Sequence, residues 1–296
     1  MPELPEVETI ARGLAKRVTG DVIESVWIGS KPEPLKSPAR AITALLEGAS
    51  IERVHRTGKH IVLDLGRNPA AKKVQAARNS QRGNESAKSK DLAGHWIVHL
   101  GMTGRLLIAE PQMEVAKHTH LIAKLASGRE LRFVDPRRFG RLSVVEPIDE
   151  DQNGSVFTGK EPLEVEFNTF AALFRKRDTP IKSALLNQKL LRGVGNIYAD
   201  ESLFRAGVRP RRRAGKLTQV ELKRLHAAIQ KILRKAIAAG GSSVSDYVDA
   251  SGEEGFFQLQ HRVYGREGEP CLVCKTPIKR VVIAGRSSHY CPKCQK

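Results

Sequence analysis

The first residues of the chain carry groups whose types and spacing could do chemistry. Removal of Met1 would leave Pro2 as a free secondary amine. An α-amino group titrates near ~8, so an appreciable fraction is an uncharged nucleophile at neutral pH. Its attack on a masked aldehyde, such as C1′ of a deoxyribose, would give a covalent iminium. Glu3 and Glu6 add carboxylates for acid–base work. The alternative is an incidental proline on a disordered terminus.

A second candidate set is formed by the four cysteines, which all lie near the end of the chain. Cys271-x-x-Cys274 is followed after 16 residues by Cys291-x-x-Cys294. Two such pairs are typical of a four-thiolate zinc site. Disulfides are disfavoured in a cytosolic chain, which keeps its thiols reduced. We therefore predict one structural Zn²⁺, which would supply the folding energy of a segment too short to bury a core.

Between the cysteine pairs, the sequence predicts a small hairpin. Residues 278–283 and 286–290 form two short strands around Ala284-Gly285, so that Arg286 lies at the tip. A cationic tip on a zinc ribbon is a plausible finger into nucleic acid. The alternative is an exposed arginine that is only solvated.

The charge of the chain indicates its partner. Lys and Arg total 50 against 32 Asp and Glu, which gives a net charge of +18 over 296 residues. A field of that sign attracts polyanions, of which nucleic acid is the most abundant. Charge alone does not separate an enzyme from a protein that is merely solubilised, or one that is associated with ribosomes.

Localisation is predicted from what the sequence does not contain. The sequence shows no apolar run of the ~18 residues that a membrane span needs, and no basic segment followed by an apolar one at its start. We expect a cytoplasmic protein, associated with the nucleoid if DNA is the partner.

The first half of the chain is predicted to be an α-helix followed by antiparallel strands. Apolar residues recur at helical spacing from Val7 to Val18, and Gly20 ends the helix. Strands follow at 21–28, 51–65, 95–109, 118–125, 130–134 and 141–145, with a hairpin at Ser127-Gly128. This pattern favours an antiparallel sandwich or barrel. Lys59, in a turn after Gly58, could reach a phosphate or a reacting centre. The alternative is a solvated hairpin lysine.

The second half is predicted to be helical. Thr179-Pro180 resembles a cap followed by Pro at the first helical position of a helix over 181–190. The glycine-rich turn 193–196 opens the next helix and could bind phosphate through backbone amides. The capping box Thr218-x-x-Glu221 begins a long helix that ends at Gly240-Gly241. Its predicted core face contains Val220, Leu222, Leu225, Ile229, Ile232, Leu233 and Ile237.

These elements predict an α+β fold with several domains. We expect an N-terminal β-sandwich domain over 1–147, a linker over 148–164, a helical domain over 165–258 and a zinc finger over 259–296; the family resemblance described next implies that the first is catalytic and that the helical one binds DNA. Residues 68–91 are rich in Ala, Lys, Asn, Ser and Gln and predict a flexible basic insertion between two strands.

Six segments in the same order along the chain resemble the formamidopyrimidine-DNA glycosylase family. They are Pro2 to Thr9, His99 to Gly104, Asp135 to Gly140, Gly193 to Tyr198, Val263 to Arg266 and Cys291 to Gln295. The resemblance spans essentially the whole chain. It implies an N-terminal helix with a β-sandwich, a helix–two-turns–helix domain whose loop at 242–247 closes over an extruded base, and a C-terminal zinc finger.

The resemblance also implies catalytic roles. Pro2 would attack C1′ and expel the base, with Glu3 as the acid in opening the sugar. Lys59 matches the family lysine credited with proton transfer in the first elimination, and Arg286 the arginine credited in the second. Because arginine is a poor proton donor at neutral pH, the electrostatic part of the Arg286 role is favoured. Ser287 and Ser288 after Arg286 depart from the family's usual residues.

The DNA contacts implied by the resemblance fall into two groups. Met102 and Phe139 would be wedges in the base stack and Arg137 would face the orphaned base. The contacts with the DNA backbone would come from His118, Lys182, Asn196 and Arg177. Without the flanking motifs, the alternative is that Met102 and Phe139 are core residues.

The leading functional hypothesis is a bifunctional glycosylase and lyase that excises oxidised purines from duplex DNA, acting as a monomer. A second hypothesis is an endonuclease VIII-like enzyme for oxidised pyrimidines. Leu4 and the complete wedge set argue against it. A third is a catalytically silent zinc-containing DNA-binding protein, which would be expected to have lost Pro2, Glu3 or Lys59.

Overall fold

The computed structural model describes residues 1–67, 92–147, 157–244 and 247–296. The chain divides into two compact units. The first contains Met1–Pro2, Glu6–Val156 and Val244–Glu254, and the second contains Glu3–Pro5, Phe157–Ser243 and Gly255–Lys296. The basic insertion predicted at 68–91, much of the predicted linker and two residues of the predicted closing loop lie outside the described residues.

The first unit is built on helix α1 (Leu4–Val18) and two antiparallel sheets. The apolar face predicted for α1 is confirmed, because Val7, Ile10, Leu14 and Val18 are all buried. Gly20, with φ of +88°, provides the left-handed conformation that ends the helix. A short helix that the sequence reasoning missed, α2 (Ala39–Leu46), packs Ile42 and Leu46 into the same core.

The two sheets have four strands each, and their order is β1-β6-β7-β5 and β2-β3-β4-β8. Apolar side chains of both sheets and of α1 share one core, so the predicted sandwich is confirmed. The strands are β1 (Ile23–Ile28), β2 (Ser50–Thr57), β3 (His60–Gly66), β4 (Leu92–His99), β5 (Arg105–Ala109), β6 (Thr119–Leu125), β7 (Glu130–Val134) and β8 (Arg141–Val145).

The turns of this unit place the predicted site residues. The 51–65 segment folds back at Gly58-Lys59, where Thr57 pairs with His60. The 95–109 segment is divided by the turn Leu100–Gly104, so that β4 and β5 belong to different sheets. The hairpin predicted at Ser127-Gly128 is confirmed, since it joins β6 to β7.

The second unit contains a helical core and a small hairpin. Its helices are α3 (Phe167–Phe174), α4 (Ile181–Leu186), α5 (Asn196–Ala206) and α6 (Gln219–Ala238), with 3₁₀ turns at Ala214–Lys216 and Phe257–Gln260. The capping box predicted at the start of α6 is confirmed: Thr218 and Glu221 bond each other's backbone amides. Gly207, with φ of +73°, ends α5. Among the described residues, no helix is long and apolar enough to cross a bilayer.

Three expectations about the helices are wrong. Helix α4 ends at Leu186, because Asn187 turns extended and its side chain accepts a bond from the Lys189 amide. Pro180 is the N-cap residue of α4 and not its first helical residue. Val220 is 68% exposed, because the first turn of α6 points it to solvent, whereas the other residues predicted for the core face are buried or partly buried.

The hairpin of the second unit joins β9 (Lys279–Ile283) to β10 (Arg286–Tyr290). Ala284 and Gly285 both have positive φ, as the predicted tight turn requires. The apolar cluster beside the hairpin contains five buried residues among those described, Phe204, Val263, Cys271, Ile278 and Cys291. So small a core leaves the metal to stabilise this segment.

Candidate active site

The start of the chain is buried and held by specific bonds. Residues 2–6 are all buried, so the alternative of a disordered terminus is wrong. In the second unit, the Glu3 carboxylate accepts hydrogen bonds from the amides of Ile197 (2.9 Å) and Tyr198 (3.4 Å) in the first turn of α5. The Leu4 amide donates to the carbonyl of Gly193 at 3.0 Å. The residue next to the candidate nucleophile Pro2 is therefore fixed by a helix N-terminus.

The glycine-rich turn before α5 is shaped for this carboxylate. A Cβ atom on Gly195 would lie 2.2 Å from Glu3 Cδ, and one on Gly193 would lie 2.8 Å from Leu4. The sequence makes this turn a candidate phosphate site, with a tight turn that binds no ligand as the alternative. Its helix N-terminus instead binds a carboxylate of the chain itself, by the same electrostatics.

Glu6, the acidic residue in the first turn of α1, lies in the first unit. It is buried, and the hydroxyl of Tyr247 donates to its backbone carbonyl at 3.4 Å. Burial raises the pKa of the Tyr247 phenol, and the charge of Glu6 raises it further. The phenol therefore stays protonated and serves as a donor.

Lys59 lies in the turn between β2 and β3 and is only 8% exposed, which contradicts the alternative of a solvated lysine. Arg56 orders this turn, because its guanidinium donates to the Gly58 carbonyl at 3.1 Å and pairs with Glu8 at 2.7 Å.

The neighbours of Lys59 include two imidazoles in contact, with their planes tilted by 53°. His60 and His99 have ring centroids 4.9 Å apart. Burial lowers the pKa of His99 to about 3, and the charges of His60, Lys59 and Arg141 lower it further. The pKa of His60 is lowered chiefly by the same burial. The Lys59 ammonium therefore faces neutral rings at physiological pH.

The predicted wedge residues lie on exposed loops of the first unit. Met102 is 39% and Phe139 53% exposed, which contradicts the alternative that they belong to the core. The guanidinium carbon of Arg137 lies 4.9 Å from the centroid of the Phe139 ring, a cation–π distance. His118 is also exposed. The structure brings the turn of Met102 against the loop of Arg137 and Phe139: a Cβ on Gly101 would lie 2.5 Å from the Phe139 backbone.

Lys182 differs from its prediction. It is fully buried in the second unit, with its ammonium 2.7 Å from Asp200 Oδ1 and donating to the Ser287 carbonyl at 2.5 Å. Burial lowers the pKa of Lys182, while the charges of Asp200 and Glu3 oppose that shift. The Lys182 ammonium that was predicted to contact the DNA backbone is not exposed, because it is paired with Asp200 inside the protein.

The same network holds the hairpin that carries Arg286. Asp200 Oδ2 accepts from the His289 amide at 2.9 Å, and Asn196 Nδ2 donates to Ser287 Oγ at 3.2 Å. Arg286 itself is exposed at the start of β10. The serine at 287, a departure from the family pattern, therefore supplies a bond that anchors the hairpin to α5.

Arg177 lies apart in sequence from this network, just after α3. Its side chain is exposed, and its Nε donates to the Leu173 carbonyl at 2.6 Å. Lys176 beside it has φ of +58°, a left-handed conformation that costs of the order of 1 kcal/mol and presents both basic residues in a tight turn.

The four cysteines meet as predicted. All four sulfur atoms lie within 4.8 Å of one another, with Cys271 and Cys294 at 3.9 Å and Cys274 and Cys291 at 3.4 Å. Four thiolates at about 2.3 Å from a central zinc would be about 3.8 Å apart, so this set fits one tetrahedral Zn²⁺. The residues that would hold the metal are Cys271, Cys274, Cys291 and Cys294.

Sequence reasoning missed two aspartates behind these residues. Asp200 is on the buried face of α5, four residues after Asn196, and Asp135 begins the Asp-Pro-Arg-Arg-Phe-Gly segment. A charged residue inside an otherwise apolar helix face was the available signal for Asp200.

Family models match three successive parts of the chain. The formamidopyrimidine-DNA glycosylase N-terminal domain matches residues 1–142. The formamidopyrimidine-DNA glycosylase H2TH domain matches 158–248, and a zinc finger found in FPG and IleRS matches 268–296. The third match agrees with the four-cysteine cluster, and the protein therefore has one structural zinc site.

Relatives match over the full length. The formamidopyrimidine-DNA glycosylase of Solibacter usitatus is 43% identical over 302 residues, covering all of both chains. That of a Synechococcus strain is 38% identical over 306 residues, covering all of this chain and 99% of the relative.

Solved structures agree with this fold. The MutM (Fpg) protein of Thermus thermophilus is 39% identical with a TM-score of 0.80, covering 99% of this chain and 98% of the other. The Lactococcus lactis Fpg in complex with abasic-site DNA is 32% identical with a TM-score of 0.83, covering 99% of each chain. From its three domain models and its full-length relatives, the chain belongs to the formamidopyrimidine-DNA glycosylase family of DNA-repair enzymes.

Proposed function

We propose that the protein is a bifunctional glycosylase and abasic-site lyase that removes oxidised purines, 8-oxoguanine and formamidopyrimidines, from duplex DNA. The observation that carries the proposal is the buried start of the chain, where Glu3 receives two amide bonds from α5 directly beside Pro2. An incidental terminus would gain nothing from a buried carboxylate so held, since burying the charge costs free energy.

The first step uses Pro2 as the nucleophile. After removal of Met1, the amine attacks C1′ of the damaged nucleoside, the bond from C1′ to the base breaks, and the base leaves with a proton. Glu3 donates a proton to the ring oxygen as the sugar opens, and the proline nitrogen becomes an iminium. The C2′ proton is thereby acidified.

Elimination then cleaves the strand. Loss of the C2′ proton expels the 3′ phosphate, and a second elimination expels the 5′ phosphate, leaving a gap. Lys59 is the group we assign to proton transfer in the first elimination, and its burial beside neutral imidazoles keeps its ammonium lightly solvated. Arg286 is assigned to the charge of the departing phosphate, because a guanidinium stays protonated.

The base must leave the stack before this chemistry can occur. We assign Met102 and Phe139 as wedges and Arg137 as the fork that faces the orphaned cytosine, with His118, Asn196 and Arg177 on the backbone. The exposure of the wedge residues supports this assignment. Two structures of one relative support DNA as the partner: the Lactococcus lactis Fpg is in complex with abasic-site DNA and with Fapy-dG DNA.

Zinc has no step in this mechanism. Bound to the four cysteines, it would stabilise the hairpin that presents Arg286. We further propose that the protein acts as a monomer at the nucleoid, where its substrate is.

Borohydride trapping tests the proposal. The reagent reduces an iminium to a stable amine, so a duplex with one 8-oxoguanine opposite cytosine should become covalently attached at Pro2. A duplex with an oxidised pyrimidine is the comparison. Preference for the pyrimidine would make the protein endonuclease VIII-like, and tight binding without an adduct would make it a silent DNA-binding protein.

Protein that retains Met1 is the matched control. Its proline nitrogen is an amide and cannot form an iminium, so trapping should be abolished. Pro2→Gly, which keeps a free amine, should trap more slowly. Full trapping with Met1 retained would refute Pro2 as the nucleophile.

A further inference from the structure

Asp135 is the most completely bonded carboxylate near the predicted DNA-facing residues of the first unit. It is 0% exposed. Its Oδ1 accepts from the Thr103 hydroxyl at 2.6 Å and from the Arg137 amide at 3.3 Å, and its Oδ2 accepts from the Gly140 amide at 2.7 Å. One carboxylate thus joins the turn that carries Met102 to the loop that carries Arg137 and Phe139.

The backbone of Asp135 extends this network to the segment of His118. Its amide donates to the His118 carbonyl at 2.9 Å, and its carbonyl accepts from His120 Nε2 at 2.9 Å. Of the DNA-facing residues predicted in this unit, Arg137 and His118 are themselves hydrogen-bond partners of Asp135. Met102 is adjacent in sequence to the partner Thr103, and Phe139 is adjacent to the partner Gly140.

The two loops are also in direct contact and cannot move independently. Gly101 has φ of +63°, and any Cβ there would strike the Phe139 backbone. The amide of Gly101 donates to His99 Nδ1 at 3.1 Å. Arg138 has φ of +58°, a conformation that a non-glycine residue keeps only where its surroundings impose it.

We propose that Asp135 is a positioning residue that locks the Met102 turn and the Arg137–Phe139 loop into one rigid wedge. The inference rests on the proposed function and adds to it a residue that does not itself touch the DNA. Insertion into a base stack needs the two wedges and the arginine at fixed mutual positions, and errors of about 1 Å at a site can cost about 100-fold in rate. Hydrogen bonds to a buried carboxylate supply that rigidity, since charge-assisted bonds are about twice as strong as neutral ones.

Two substitutions test this positioning role, one at the Asp135 carboxylate and one at the Thr103 hydroxyl that donates to it. Asp135→Asn keeps the size of the side chain but replaces one acceptor oxygen by an NH2 donor, so it can accept the bond of Thr103 or that of Gly140 but not both. Thr103→Val removes the hydroxyl and keeps the carboxylate, and so remains available if Asp135→Asn fails to fold. Thr103→Ser restores the hydroxyl and is the matched control.

The probe is a duplex with 8-oxoguanine opposite cytosine and 2-aminopurine in the neighbouring base pair. The fluorescence of 2-aminopurine rises when the stack is opened, and it is read by rapid mixing. The second substrate is a single-stranded oligonucleotide with one abasic site, which has neither a stack to open nor an orphaned base.

The lock predicts a split between these two substrates. Both variants should open and nick the duplex about 10- to 100-fold more slowly, as is found when a buried partner of a functional group is removed. They should nick the single strand within about twofold of the unsubstituted protein, because the wedge is not used there. Thr103→Ser should recover the duplex signal lost in Thr103→Val.

Each other outcome refutes one claim. Unchanged stack opening in Asp135→Asn and Thr103→Val would overturn the lock and leave the proposed function standing. An equal loss on both substrates, with a lowered melting temperature, would make Asp135 a residue of fold stability alone and also overturn it. Inactivity of the unsubstituted protein on both substrates would refute the proposed function itself.

Discussion

Each unit keeps one buried aspartate behind its predicted DNA-facing residues, but the two are satisfied differently. The side-chain hydrogen bonds of Asp135 come from a hydroxyl and two amides. Asp200 is paired with the Lys182 ammonium and also receives the His289 amide. Neutral donors hold the surface that enters the base stack, whereas an ion pair holds the hairpin that presents Arg286. We infer that directional hydrogen bonds fix the shape of the surface that enters the base stack, whereas an ion pair positions the hairpin whose arginine is proposed to contact a phosphate.

The largest expected effect is that of metal loss, which should unfold the zinc finger and leave the wedge of the first unit folded. Cys291→Ser, or chelation of the zinc, should unfold the segment from 268 to 296, because metal binding is worth about 10–16 kcal/mol in zinc fingers. Nicking of a lesion duplex should fall at least about 100-fold with the loss of Arg286. Elemental analysis for one zinc per chain, with nicking assays, checks this.

The wedge of the first unit should survive that loss. Its hydrogen bonds do not involve the finger, so hydrogen exchange of the Arg137 and Gly140 amides should stay unchanged in zinc-free protein. Zinc-free protein with undiminished nicking would show that the finger is dispensable.

Breaking the ion pair of Asp200 should cost more stability than breaking the hydrogen bonds that neutral groups donate to Asp135. Asp200→Asn leaves a buried ammonium uncompensated, which typically costs about 3–5 kcal/mol. Asp135→Asn leaves neutral donors unsatisfied, at about 1–3 kcal/mol. Urea denaturation measures both free energies of unfolding.

A double variant tests whether the loss of stability comes from the unpaired Lys182 charge. Asp200→Leu with Lys182→Met removes both charges together and should recover part of the loss, because a buried pair is often replaceable by apolar groups. If Asp135→Asn proves the more costly single change, the contrast between neutral and charged networks is wrong.

The sequence predicted what depends on local pattern. The apolar period of α1, the capping box at Thr218 and the cysteine spacing each specify their structure within a few residues. The sandwich followed from strands and turns alone, whereas the short helices α2 and α3 went unnoticed because eight residues carry little periodicity.

The partners of the site could not be predicted, because they are distant in sequence. Glu3 meets Ile197, Thr103 meets Asp135, and Lys182 meets Asp200 and the carbonyl of Ser287. The resemblance implies that Lys182 contacts the DNA backbone, and only the tertiary structure shows that its ammonium is buried. The motifs identified which residues matter, and the fold decides which of them touch each other.

Acid should lower the free energy of unfolding of both units, because burial lowers the pKa of His60 and His99 in the first unit and of His261 in the second. The pKa of His99 is lowered to about 3 and that of His261 to about 4, in both cases chiefly by burial. Below pH 6.5 the unfolded chain binds a proton at these positions that the folded chain does not. The free energy of unfolding should therefore fall by about 1.4 kcal/mol per pH unit for each histidine, or about 2 kcal/mol at pH 5.

Single substitutions assign that loss to a unit. His99→Asn should reduce the acid sensitivity of the first unit, where His60 keeps a part of it, and His261→Asn should reduce that of the second, as measured by thermal melting between pH 7 and pH 5. An unaltered pH dependence in both variants would place the titration elsewhere.

The smallest expected effect concerns the salt dependence of DNA binding, which should differ between the hairpin that carries Arg286 and the wedge that carries Met102. Arg286 is proposed to meet a phosphate, and each neutralised phosphate contributes about −0.9 to the slope of log K against log salt. Arg286→Ala should therefore reduce the magnitude of that slope by about 1 in binding to an abasic-site duplex. Met102→Ala removes an apolar wedge without releasing a counterion. It should weaken binding at every salt concentration with an unchanged slope, whereas equal changes of slope in the two variants would mean that the surfaces bind DNA in the same way.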